Sequence, residues 1–221
     1  MTDARVRVAG EEVVLLPERA LFWPRTATLV AADFHWGKGA TFRAAGIPIP
    51  VGTTGDDLAR LDAALLRTCA RRLIVLGDLF HARAGRIATR TLAELRAWRA
   101  LRPELEILLV RGNHDRHAGD PPEDLHINCL NAPAFAPPFV LRHEPGDSPD
   151  GYTLAGHLHP GVVLTGPGFW ERLPCFWLTS RTAVLPAFGS FTGLAPVARE
   201  PSDRIFAIAN DEVLSVGCGC E

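Results

Sequence analysis

Five short apolar runs in this chain each close on residues of the kind that bind hard or borderline divalent cations, and no other feature constrains the fold as much. TLVAAD-F-H closes on Asp33 and His35, LIVLGD on Asp78, LLVRGNHD on Asn113, His114 and Asp115, FVLRH on His143, and TLAGHLH on His157 and His159. Ligands in α/β sheets gather beyond the carboxyl ends of the strands. A chain that places every such residue directly after a β-like run is therefore expected to collect them at one edge. In an extended Asp33-Phe34-His35 segment the outer two side chains point the same way, and the same holds for His157 and His159. Gly77, Gly112 and Gly156 flank the motifs, where they allow tight turns or close backbone approach. None of the motifs contains a cysteine, and the array reads as a dinuclear metal site.

Length and composition set limits on that reading. The chain has 221 residues, 47% of them hydrophobic, enough for one sizeable core and one domain over 1–221. We expect a strand region over 1–25 and a frayed tail over 210–221. The formal net charge is -2 and no basic block is present, so bulk electrostatics alone does not bind a polyanion here. Lys38 is the only lysine among 23 basic residues, a bias towards arginine that lowers the weight of any single guanidinium. No apolar run is long enough to cross a bilayer and no leader pattern opens the chain, so a soluble cytoplasmic protein without membrane contact is expected. Five cysteines without regular spacing argue for reduced thiols. The Cys218 and Cys220 pair reads as part of the tail rather than a closed zinc site, which needs about four ligands.

The β-like runs are 13–16, 27–32, 73–77, 106–111, 139–143, 152–156, 162–165, 176–178, 182–186, 205–209 and 213–216. Two helices are expected. One runs from Asp56 to Arg72, with Leu58, Leu61, Leu65 and Leu66 on one face, and the other from about Ile87 to Leu101, with Leu92, Leu95 and Trp98. The first half thus alternates β and α, and after Pro138 the chain is almost all short strands. The Pro-rich stretches 119–122 and 132–138 read as surface loops.

The ordered series DxH, GD, GNHD, H and GHxH resembles the calcineurin-like metallophosphoesterase superfamily, from Asp33 through His159. That resemblance implies an α/β (α+β) fold, a four-layer αββα sandwich of the calcineurin-like metallophosphoesterase type. It implies that Asp33, His35 and His159 hold one divalent ion and Asn113, His143 and His157 a second, with Asp78 bridging. In such enzymes a hydroxide between the metals attacks phosphorus. His114 would then protonate the leaving oxygen and Asp115 orient its ring. The longer pieces DFHWGK, TFRAAGIPIPVG, GDLFHARAG, GHLHPG and LPAFGSFTG are similar to bacterial DNA-ligase-associated metallophosphoesterases. This narrower resemblance implies a manganese-dependent phosphodiesterase, an endonuclease on single-stranded or flapped DNA, homodimeric and working beside ligase-associated repair proteins. Mixed nitrogen and oxygen ligands accept Mn, Fe, Zn or Co alike. The alternatives are a phosphoesterase for small or cyclic nucleotides and a metal-bearing repair scaffold with little turnover.

Residues near the motifs carry two readings each. Lys38 and Arg43 are candidate contacts to a phosphodiester or plain surface charges. His81 either touches phosphate or packs beside the turn. Arg83, Arg86 and Arg116 read as solvated. Trp36 and Phe42 read as core, with base stacking as the alternative, and His117 and His126 as bystanders.

Overall fold

The apolar runs of the first half are continuous rather than alternating because their strands are buried on both faces. In the computed structural model, which describes residues 1–49, 52–166 and 168–217, strand β4 (Thr28–Ala31) turns Leu29 and Ala31 towards one core and Val30 towards another. Strand β5 (Arg72–Val75) divides Leu73 and Val75 from Ile74 in the same way.

Ahead of β4 lie β1 (Ala4–Val8), β2 (Glu11–Leu16) and β3 (Ala20–Trp23). Helices α1 (Lys38–Ala44) and α2 (Thr53–Thr68) lead to β5, and α3 (Arg83–Arg86) and α4 (Thr89–Ala100) lead from it to β6 (Glu106–Val110). Helix α5 (Asn113–Ala118) precedes β7 (Ile127–Leu130). These strands form one sheet in the order β1 to β7, antiparallel as far as β4 and parallel from β4 to β7.

The rest of the chain builds the second sheet. Its strands are β8 (Ala134–Ala136), β9 (Phe139–Leu141), β10 (Tyr152–Ala155), β11 (Pro160–Gly166), β12 (Phe169–Leu178), β13 (Thr182–Val184), β14 (Ala195–Pro196), β15 (Arg204–Ala209) and β16 (Glu212–Val216). The order is β14-β11-β12-β13-β10-β9-β8, with β15 on β12 and β16 on β15. Phe139, Leu141, Leu154, Phe176, Leu178 and Leu185 meet Val13, Leu15, Val30, Ile74 and Leu76 between the two sheets. Leu58, Leu61, Leu65, Leu95 and Trp98 cover the other face of the first sheet.

The expected two-sheet α/β architecture of the calcineurin-like type is realised, and every α-helix among the described residues precedes β7. Loops close part of the outer face of the second sheet, with Thr153 donating to the carbonyl of Gly146 at 2.8 Å and Trp177 to Asp203 at 2.8 Å.

Other differences from the sequence have local causes. Helix α2 stops at Thr68 instead of Arg72 because Cys69 takes a left-handed conformation (φ 51°), and Leu66 points to solvent, 83% exposed. Helices α1 and α5 were not expected, since KGATFRA and NHDRHA lack an apolar period. Strand β8 lies inside the expected loop 132–138, and β16 lies inside the expected tail. Cys218 and Cys220 fall outside the described residues. Cys69, Cys129 and Cys175 are free thiols.

The loop after β13 is fastened to α2 through a buried carboxylate. Asp57 accepts from the Ser190 backbone N–H at 2.9 Å, the Ser190 hydroxyl at 2.5 Å and the Arg60 guanidinium at 2.7 Å, and Arg60 also donates to the Phe188 carbonyl. Removing one partner of a buried ion pair strands the other. Asp57→Ala should therefore lower stability by about 3 kcal/mol in denaturant unfolding, and a loss below about 0.5 kcal/mol would show that the loop is held elsewhere.

Candidate metal centre

Parallel strands end at one edge of the molecule, and the site is assembled from the loops beyond them. In the first sheet β4, β5 and β6 lead into the segments bearing Asp33 and His35, Asp78, and Asn113 and His114. In the second sheet β9 and β10, also parallel, lead into His143 and the His157 to His159 turn. These loops are stitched together by backbone bonds: Asp33 N–H to Gly77 O (3.1 Å), His35 N–H to Asp78 O (2.9 Å), Gly156 N–H to His143 O (3.0 Å) and Gly189 N–H to Asp33 O (3.0 Å).

Asp33, His35, Asp78, His157 and His159 all sit at positive φ, between 49° and 70°. Side-chain-bearing residues rarely adopt this region, and it concentrates where surrounding structure overrides local preference. Close approach also explains two of the glycines. A Cβ on Gly77 would run into the His143 ring, and one on Gly112 into the Asp78 carboxylate.

Side chains converge in three groups whose ligand atoms lie within 4.8 Å of one another, Asp33 with His35 and His159, Asp78 with His143 and His157, and an all-imidazole group of His35, His81 and His114; the first two contain the carboxylates. Asn113 joins the second group, its Oδ1 lying 2.9 Å from His143 Nε2. Asp78 Oδ2 lies between the first two groups, 3.3 Å from His143 Nε2 and 4.0 Å from His35 Nε2. All seven residues read from the sequence as ligands are thus brought to one place. Asp33 is fully buried, and His35, Asp78 and His143 are nearly so.

The hydrogen-bond chemistry of this cluster fits a cation. A carbonyl can only accept, so the 2.9 Å contact between His143 Nδ1 and Leu76 O places the His143 proton on Nδ1. Nε2 is then a lone pair facing further lone pairs, on Asn113 Oδ1 at 2.9 Å and Asp78 Oδ2 at 3.3 Å. His35 Nε2 and His159 Nε2 face each other at 3.2 Å, His157 Nδ1 lies 3.0 Å from His143 Nε2, and the buried Asp33 Oδ1 has no donor. Even with one ring of each pair donating, acceptors outnumber donors here, which calls for either further protons or metal ions. Burial drives the His35 imidazole down to about 3, leaving its lone pair free. At His143 burial also opposes charge, but the Asp78 hydrogen bond and the attraction of Asp78 and Asp33 lift it to about 9. For Asp78 burial is outweighed by its bonds to His143 and the His114 N–H, which hold it below the usual carboxylate range.

Two neighbouring residues differ from expectation. Asp115 does not touch the His114 ring. It is buried and accepts backbone N–H bonds from Asp78 (2.7 Å), Gly112 (2.8 Å) and Leu79 (3.0 Å), tying α5 to the loop after β5. The ring of His114 is oriented instead by the His81 carbonyl, 2.6 Å from Nδ1, which leaves Nε2 facing Asp78 Oδ2 at 4.0 Å. The sequence gives no sign of this, because a backbone acceptor has no residue signature.

His81 packs its ring on His114, centroids 5.0 Å apart and 26° from parallel, and burial, followed by the charges of Lys38 and His114, takes it down to about 4. Lys38 stands close enough to His35 and His81 to depress both, and burial lowers its own pKa. Arg43 is exposed and donates to the Ile49 carbonyl at 3.3 Å. Arg86 straps α3 to α5 through the Ala118 carbonyl at 2.6 Å, rather than standing in solvent. Trp36 is core, 3% exposed, whereas Phe42 is half-buried against His81. Phe191 was not singled out in the sequence, yet it stands 5.7 Å from Phe42.

No family model and no curated protein matches the chain. Among solved structures it is similar to one described as Pseudomonas putida nuclease MPE, with 38% identity, a TM-score of 0.86, and coverage of 97% of this chain and 100% of that one. A phosphoesterase from E. coli, Yfce, aligns at 18% identity and a TM-score of 0.40 over 86% of this chain and 98% of that one, a likeness too low to support further comparison.

Asp115→Ala removes three bonds to an ionised acceptor and leaves buried N–H groups behind. It should cost about 3 kcal/mol or more, seen as a lower melting temperature. An unchanged melting temperature would return Asp115 to a role at the reacting atoms.

Proposed function

Because this chain belongs to the calcineurin-like metallophosphoesterases, in the ligase-associated branch, and is a hydrolase of phosphoester bonds, we propose that it is a nuclease that cleaves phosphodiester linkages in DNA at a dinuclear metal centre. The observation that carries the proposal is the convergence of lone pairs, those of Asp33, His35, Asp78 and His143 buried, in two groups around Asp78 Oδ2. Asp33, His35 and His159 would hold one ion and Asn113, His143 and His157 a second, with Asp78 within reach of both. Two divalent cations there would supply charge to neutralise phosphate oxygens and to lower the pKa of water towards neutrality.

The chain's own residues do the rest. The left-handed loops preset the donors before any ion or substrate arrives, so little reorganisation is left for the reaction. His114 holds the proton for the departing oxygen at Nε2, because Nδ1 is committed to the His81 carbonyl. Donation from Nε2 then requires the doubly protonated ring. Lys38, beside His35 and His81, offers a cation to a phosphate oxygen, and the stacked His81 ring keeps His114 in line.

The proposal extends to manganese as the working ion, to single-stranded or flapped DNA as substrate, to a homodimer and to ligase-associated repair proteins as partners, supported by the sequence resemblance, and to a place in the cytoplasm, for which the sequence offers only the lack of a leader pattern and of a spanning apolar run. It also takes 1–221 as one catalytic domain. No helix among the described residues is long and apolar enough to cross a membrane.

The test is cleavage of an end-blocked single-stranded oligonucleotide by metal-stripped protein with and without added manganese. Internal cuts that require metal support the nuclease. Hydrolysis of cyclic or small phosphodiesters without any cutting of DNA would move the substrate to small nucleotides, and full metal loading without turnover would leave a scaffold. Asp78→Ala should release metal from both positions, measured by elemental analysis, and retention of both ions would refute the shared carboxylate. His114→Ala should keep the metals and slow DNA cleavage by about 10²- to 10⁴-fold, with a smaller loss on a nitrophenyl diester, whose leaving group needs no proton. Equal losses on the two substrates would remove His114 as proton donor.

A further inference from the structure

A line of aromatic rings leaves the metal centre on one side. His114, whose Nε2 faces Asp78, stacks on His81, which meets Phe42 at 5.9 Å between centroids, and Phe42 meets Phe191 edge-on at 5.7 Å and 88°. Phe191 is 37% exposed, and the Lys38 ammonium lies 5.5 Å from its ring centre. A lone exposed phenylalanine is ordinary on a protein surface. This one differs because its loop is bolted to the end of β4 and to α2 and is closed on itself by an internal bond. The Phe188 N–H donates to Ala32 O at 2.8 Å, the Ser190 N–H to Asp57 at 2.9 Å and the Thr192 hydroxyl to Gly189 O at 2.9 Å. Phe188, three residues earlier, is fully buried and stacked on Phe34 at 4.3 Å. The loop therefore buries one phenylalanine and holds the next outward, beside the chain's only lysine and in ring contact with the residues that flank the reacting position.

Resting on the nuclease reading, we propose that Phe191 and Phe42, with Lys38, form a subsite for an unstacked nucleobase of the nucleotide adjoining the scissile phosphate. An aromatic face next to a cation suits a base and its phosphate together, and it accepts any base because all have a π face. In a duplex that base is already stacked and paired, so occupying the subsite selects single-stranded or frayed nucleic acid.

The experiment uses a thymidine oligomer with one cleavable phosphodiester among methylphosphonate linkages, and versions in which the nucleotide on either side of that bond is abasic. For the wild type the abasic change on one side should raise KM about tenfold, and on the other side much less. Phe191→Ala should raise KM for the intact oligomer by a similar factor, with a smaller effect on kcat, and should erase the abasic penalty. Phe191→Trp should restore both, and thermal melting of each variant checks its fold. An abasic penalty that is absent in the wild type, or that persists unchanged in Phe191→Ala, overturns the subsite while leaving the nuclease intact. If the wild type hydrolyses methyl nitrophenyl phosphate but cuts no oligomer, the nucleic-acid reading fails first and the subsite falls with it.

Discussion

Acceptors outnumber donors at the centre of this molecule, and the rest of the structure answers to that imbalance. Two carboxylates and a group of imidazoles are held within a few ångströms of one another, with Asp33 and Asp78 almost wholly removed from water. Burying an unpaired carboxylate costs several kcal/mol even after relaxation. Left to itself the cluster favours a proton on His143, where Asp78 and Asp33 outweigh burial and lift the imidazole to about 9. Divalent cations meet the same demand with more charge in less space. The scaffold must therefore hold mutually repelling groups together until the cations bind, which is work for the backbone around them.

That work is visible in the loops. Five of the converging residues take left-handed backbone conformations, each costing on the order of 1 kcal/mol or more. No single interaction offsets this. The loops after β4, β5, β10 and β13 bond to one another rather than to solvent, and the Asp115 carboxylate gathers three further N–H groups beneath them. Because the two sheets face each other across a common apolar core, the ends of β4, β5 and β6 and those of β9 and β10 are registered before the polar groups meet.

Much of this was legible in the sequence for a physical reason: a strand buried on both faces is a continuous apolar run, and the residue that follows its last apolar position is where chemistry sits. That rule placed Asp33, His35, Asp78, Asn113, His143, His157 and His159 together. It failed where structure comes from backbone or from polar contacts. Helix α5 has no apolar stripe and exists because Asp115 caps it and fastens it to the neighbouring loop. The role first read for Asp115 went to the His81 carbonyl, an acceptor that every residue carries. Phe191 was hidden for a related reason, since a phenylalanine in a Gly and Ser turn looks the same whether the loop buries it or holds it out.

Asp115 links Asp78 to His114. Its Oδ2 bonds the N–H of Asp78 and that of Gly112, and the N–H of His114 in turn bonds Asp78 Oδ1. The His81 carbonyl, three residues after Asp78, then sets the His114 ring through Nδ1. Asp78, His81, Gly112 and His114 are thus bonded into one unit, although they come from two loops. The distance between His114 and Asp78 is consequently a property of the fold. In the proposed reaction an imidazole held so is already oriented when the substrate arrives.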